Sequence, residues 1–82
     1  MNWISVKDRL PTSEEGFKQT FIVTVEVDFL GNILRETHYD IDYHDGNWYV
    51  YSSEDEEDIL LEEDDTIRVV AWAFSPEPYQ GE

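Results

Sequence analysis

Cysteine is absent from this 82-residue chain, so neither a disulfide framework nor a thiolate metal site is available to hold the fold. Basic residues are almost as scarce. Lys7, Arg9, Lys18, Arg35 and Arg68 stand against twenty acids, for a formal charge of −15. Such a balance excludes direct binding to a nucleic-acid backbone or an anionic membrane, both of which rely on clustered Lys and Arg. Long apolar runs are missing too: the longest covers residues 69–74, far short of the roughly 20 residues that span a bilayer. Met1-Asn2-Trp3 opens without a basic and apolar leader, and with the missing cysteines this sets a cytoplasmic expectation. Only three prolines and four glycines punctuate the chain, so the turns they mark are few and informative.

Aromatic residues are abundant: three Trp, five Tyr and four Phe. A chain this short buries only about 60–65% of its unfolded surface, and large rings compensate, each burying roughly 150–250 Å². Trp3, Ile4, Val6 and Leu10 are expected to supply core from the N-terminal segment, with Trp72 joining them. Thr12 or Ser13 is placed to cap one helical turn ending at Gly16, unless the stretch is a loop. From Gln19 to Asp28 the pattern alternates, with Phe21, Val23, Val25 and Val27 on one face. Gly31-Asn32 signals a turn, and period two resumes with Ile33, Thr37, Tyr39, Ile41 and Tyr43 inward and Glu36, His38, Asp40 and Asp42 outward. Asp45-Gly46 then marks a tight hairpin turn into Trp48-Tyr49-Val50-Tyr51.

Residues 54–65 hold nine of the twenty acids around the island Ile59-Leu60-Leu61, and a turn or short helix pinned by that island is expected. Residues 66–74 are apolar at both parities, the pattern of a central strand. The fold class that follows is mainly β (or α+β): a small single antiparallel meander of about four strands with at most one or two short helical turns. Residues 1–78 form one domain and residues 79–82 a flexible tail.

The opening Trp3-Ile4-Ser5-Val6-Lys7-Asp8-Arg9-Leu10-Pro11, the central Asp45-Gly46-Asn47-Trp48 and the closing Trp72-Ala73-Phe74-Ser75-Pro76-Glu77-Pro78 form a pattern. It resembles a family of short phage and prophage proteins, domain of unknown function 551, with a Trp-Ile-x-Val-x-x-x-Leu-Pro start and a Trp plus proline-rich end. The family usually has His before the closing Trp and Pro two residues after it, where this chain has Ala71 and Phe74. The resemblance implies a phage or prophage accessory protein and no particular chemistry.

Two constellations remain as candidate sites. His38, Asp40, Asp42 and His44 recur with period two on one strand, and imidazole and carboxylate together suit a divalent metal, although four in a line do not converge on one ion. Asp40-x-Asp42-x-His44 is not a calcium loop, because Asp45 and Tyr51 stand where Gly and Glu belong. No motif positions a nucleophile, and the expectation is a non-enzymatic protein without a cofactor. The second constellation is the acidic surface of Glu54, Asp55, Glu56, Glu57, Asp58, Glu62, Glu63, Asp64 and Asp65, joined by Glu36, Asp40 and Asp42. Such a patch steers a basic protein surface towards itself, and carboxylates near 7 Å spacing imitate nucleic-acid phosphates. The leading expectation is therefore an accessory protein that captures a basic partner of host or phage. The alternatives are a small-ligand or metal module on the His/Asp strand and a structural domain that self-associates as a homo-oligomer.

Overall fold

The computed structural model describes residues 2–76, which form β1 (Ile4–Ser5), α1 (Ser13–Lys18), β2 (Phe21–Phe29), β3 (Asn32–His44), β4 (Asn47–Ser52), β5 (Glu57–Leu60) and β6 (Ile67–Phe74). The expected tail, residues 79–82, lies outside the described residues. All strands belong to one antiparallel sheet in the order β1-β6-β2-β3-β4-β5, so β2 to β5 are a meander and β6 returns to pair with the opposite side of β2. The fold class is mainly β, with six strands rather than about four. No helix among the described residues is long and apolar enough to cross a membrane.

The core follows from the alternation of β2. Phe21, Val23 and Val25 are fully buried on one face, opposite Phe74, Trp72 and Val69 of β6. Aromatic edges meet aromatic faces there: the Phe21 ring lies 5.4 Å from Trp72 and 5.9 Å from Trp48, both at 88°. This is the arrangement that ring quadrupoles favour. The N-terminal segment closes over the cluster. Its Arg9 carbonyl accepts the Trp72 indole N–H at 2.9 Å, and the Arg9 guanidinium lies 4.9 Å from the Trp72 ring centre.

Turn chemistry sets the hairpins. Leu30-Gly31 joins β2 to β3 with φ of 53° and 85°, and Asp45-Gly46 joins β3 to β4 with φ of 53° and 80°. Both are the left-handed pairs whose twist matches that of the flanking strands. Helix α1 begins with a capping box, in which the Thr12 hydroxyl accepts the Glu15 N–H and the Glu15 carboxylate accepts the Thr12 N–H. It continues past Gly16 to Lys18.

Two β-bulges break the simple period-two reading. Between Phe21 and Val23 of β2, the partner strand runs three residues, from Ile41 to His38, and the extra residue is absorbed around Asp40 at φ 55°. Between Thr24 and Val25, β6 runs two residues, from Ala71 to Val69, so Val70 is the extra one. Each bulge reverses parity. Ile67 and Val69 thus share the core face with Trp72 and Phe74, while Ala71 and Ala73 lie on the other face, where Ala73 and its partner Ile22 are also buried. In β3 the expected inward set divides: Ile41 and Tyr43 are buried, whereas Ile33 and Tyr39, beyond the bulge, are exposed.

Two further expectations are corrected. Trp3 and Leu10 are 42% and 45% exposed and contribute little core, while Ile4 and Val6 do pack against it. The acidic stretch is not a helix: Glu57–Leu60 is the edge strand β5, with Ile59 opposite Val50 and the Leu61 N–H donating to the Trp48 carbonyl at 2.8 Å. Leu61, just after the strand, packs against the core, and the carboxylates of β5 guard the exposed edge against further pairing.

Candidate functional site

The predicted acidic surface is divided by the fold into two groups. Glu54, Asp55 and Glu56 occupy the β4–β5 turn, where the Ser52 hydroxyl accepts the Asp55 N–H at 3.3 Å and Glu56 takes φ 54°. Glu57 and Asp58 follow on β5, opposite Ser52 and Tyr51. The second group lies on the connection from β5 back to β6. There Glu62 accepts the Val69 N–H at 3.1 Å, and Asp64 accepts both the N–H and the hydroxyl of Thr66. These two carboxylates shape the crossover. The Thr66 hydroxyl and N–H hold the Asp64 carboxyl below the usual aspartate range. Glu63 and Asp65 stay exposed.

Register shows which residues join the first group. Asp42 faces Tyr49, which faces Leu60, and His44 and Asp58 share their parity within the paired strands, so all lie on the side of the sheet away from Trp48. The His44 and Tyr49 rings stack at 4.1 Å and 7°. Asp42 is half-buried among these groups. Burial pushes its carboxyl above the usual aspartate range, the Asp58 charge adds to the rise, His44 opposes it, and Asp40 adds to it again.

Counter-charges are elsewhere. Arg9 pairs with Glu15 at 3.0 Å and Lys18 with Glu14 at 2.7 Å, while Arg35 and Arg68 share Glu26 at 3.0 and 3.1 Å. Among the described residues no Lys or Arg forms an ion pair with any acid of residues 54–65. The β3–β4–β5 end is therefore an uncompensated acidic face with Tyr49, Tyr51 and His44 set into it.

The metal constellation is dispersed by the Asp40 bulge. His38 faces Val23 on the core side of the sheet, Asp40 occupies the bulge itself, and Asp42 and His44 point to the opposite side. The shared strand face expected for His38, Asp40, Asp42 and His44 is corrected accordingly. Among the described residues no group of three or more His, Cys, Asp or Glu is placed to hold a metal ion.

Glu36, counted with the acidic surface, lies opposite Val25 on β3, apart from the β4–β5 turn. Sequence reading also missed a group on the outer face of β6, β2 and β3, where Glu26 lies between Arg35 and Arg68. The alternation of β2 was the available signal, since it places Glu26 on the face away from Val25.

No protein family, no curated protein and no solved structure matches the chain. The resemblance to the phage family read from residues 3–11, 45–48 and 72–78 finds no support in these comparisons.

Proposed function

We propose that the chain is a non-enzymatic binding protein that captures a basic protein surface through the acidic-aromatic face of β3, β4 and β5. The observation that carries this reading is the segregation of charge: Arg9 and Lys18 pair with acids of α1 and Arg35 and Arg68 share Glu26, whereas among the described residues Glu54, Asp55, Glu56, Glu57 and Asp58 form no ion pair with Lys or Arg. A folded chain gains nothing from keeping like charges together, whereas a basic partner supplies the missing attraction and associates faster for it. Tyr49 and Tyr51 add flat rings on which Lys or Arg side chains of that partner rest. The phage-like opening motif supports the further reading of an accessory protein acting on host or phage machinery, with its carboxylates in the place of nucleic-acid phosphates.

The test is capture from bacterial lysate at low and high salt, comparing the native chain with a variant carrying Glu54, Glu56 and Glu57 as Gln and Asp58 as Asn. Capture that falls with salt and with the substitutions supports the reading. Equal capture by both proteins at both salt concentrations defeats it. Self-association has its own observation, because residues 32–40 of β3 pair with β2 on one side only and carry exposed Ile33, Leu34 and Tyr39. Association through that open edge persists at high salt, which separates the two.

A further inference from the structure

A trough of about 410 Å³ between β1, β6, β2 and β3 is lined by Lys7, Arg35 and Arg68 together with Glu26, Ser5, Val70 and Ala71, and it reaches Val6 and Val69, which pack against the core. Three of the five basic residues in the chain thus meet in one concavity. With Glu26 as the one acid of the lining, its formal charge is +2, from three cations and one anion, inside a molecule of −15. We propose that this trough binds a small oxyanion, a phosphoryl or carboxylate group whose apolar body rests on Val70 and Ala71.

Register builds the site. Glu26 faces Arg35 on β3 and Arg68 on β6, and Thr24 faces Ala71, which in turn faces Ser5, so Ser5, Glu26, Arg35, Arg68 and Ala71 of four strands project from one side of the sheet. The Val70 bulge widens the spacing between Arg68 and Ala71 at that point. Glu26 fixes both guanidinium groups: its Oε2 accepts from Nε of Arg35 at 3.1 Å, and its Oε1 accepts from Nη2 of Arg68 at 3.1 Å. Each guanidinium has five N–H donors, so several on each remain free for an incoming oxyanion. The two arginines also hold the Glu26 carboxyl below its usual range, so the clip stays ionised further into acidic pH than a free glutamate would. The volume falls within the range of small-molecule sites. A polyanion is excluded: beyond Arg68 the surface turns acidic at Asp28 and Asp65, and the net charge repels an extended phosphate chain.

The experiment follows the Arg35 and Arg68 side-chain Nε–H signals by NMR on the intact chain, titrated with inorganic phosphate, with succinate, and with chloride at matched ionic strength. Saturable shifts with phosphate or succinate but not chloride are expected at Arg35 and Arg68. Phosphate alone assigns a phosphoryl ligand, and both together assign a general oxyanion site. Arg68→Gln should weaken binding about tenfold, the loss of one charge-assisted contact, and Lys18→Gln should leave it unchanged. Glu26→Gln should tighten binding, because it removes the internal competitor; a purely structural cluster predicts no gain. Shifts that match those in chloride, or weaker binding in Glu26→Gln with its fold retained, overturn the proposal.

Discussion

Gly16 of α1 approaches Tyr43 of β3 so closely that a Cβ on the glycine would lie 2.3 Å from the Tyr43 carbonyl oxygen. No side chain fits, and the glycine serves the docking of the helix rather than its ending. Gly16→Ala is therefore expected to destabilise the protein even though alanine is favoured over glycine in a helix by about 1 kcal/mol. Relieving the overlap requires α1 to move off the sheet, and overpacking of this kind costs about 1–3 kcal/mol. A lowered melting temperature with faster amide exchange in residues 13–18 is the expected result; an unchanged or raised one would show that the helix shifts freely.

Leu30 is 88% exposed and held at φ 53°, where an L-residue with a branched side chain is strained. Leu30→Asn retains the turn, suits the left-handed pair with Gly31 and removes an exposed apolar side chain. Stability should rise by about 1 kcal/mol. For a chain of this size that is a gain of about 4–8 °C in melting temperature. At the bulge, Asp40→Gly should be neutral or stabilising and Asp40→Val should destabilise, because a β-branched residue tolerates φ 55° poorly. Equal melting temperatures for the two Asp40 variants would rule out strain as the reason.

These positive-φ residues also explain what was legible in the chain. The alternation of Phe21, Val23 and Val25, the Asp45-Gly46 turn and the Thr12 cap each have a local physical signature, and each is where the pattern placed it. The bulges have none. Asp40 and Val70 look like ordinary strand residues, and a single extra residue reverses every side chain beyond it, which is why His38 and Asp42 were placed on one face. Strand β5 was hidden because five consecutive acids dominate the composition, although Ile59 lies opposite Val50 and Leu61, two residues on and just past the strand, packs against the core. The acidic end itself was visible as composition; its division into a turn group and a crossover group depends on backbone contacts of Glu62 and Asp64 that no pattern announces.

Stability should pass through a maximum at mildly acidic pH. Glu15 is held down to about 2, first by its hydrogen bonds to Arg9 and then by the Thr12 N–H, and Glu26 is lowered by Arg35 and Arg68. Carboxyls that are more acidic folded than unfolded favour folding above their unfolded value, and that contribution is lost as pH falls through the folded one. For Glu15 the loss runs from the ordinary glutamate range down to about 2. Asp42 has the opposite sign. Its folded value is raised, so it favours folding at low pH and ceases to do so as pH rises through that value. Asp42→Asn should therefore raise the melting temperature at pH 7 and have little effect at pH 3. A variant equally stabilised at both would place the cause outside ionisation.

Added salt should stabilise the protein, and the β4–β5 turn should account for much of the effect. Twenty acids against five bases give a folded state with net self-repulsion, and the densest group, residues 54–58, has no paired Lys or Arg among the described residues. Exposed like charges a few ångströms apart repel by about 1 kcal/mol per pair in water, and at physiological ionic strength screening acts beyond roughly 8 Å. Part of this repulsion persists in the unfolded chain, where these residues remain neighbours in sequence, so the gain from removing it is a fraction of the full sum. Glu54, Glu56 and Glu57 changed to Gln should raise the melting temperature at low salt, and the difference from the native chain should shrink as salt is added. Glu62→Ala serves as the contrast, because Glu62 accepts the Val69 N–H and its removal leaves a half-buried donor without that partner. That variant should be less stable at every salt concentration. If instead the triple Gln variant is destabilised at low salt, the turn carboxylates hold the β4–β5 hairpin together, and an acidic face kept only for a partner is no longer a sufficient account of them.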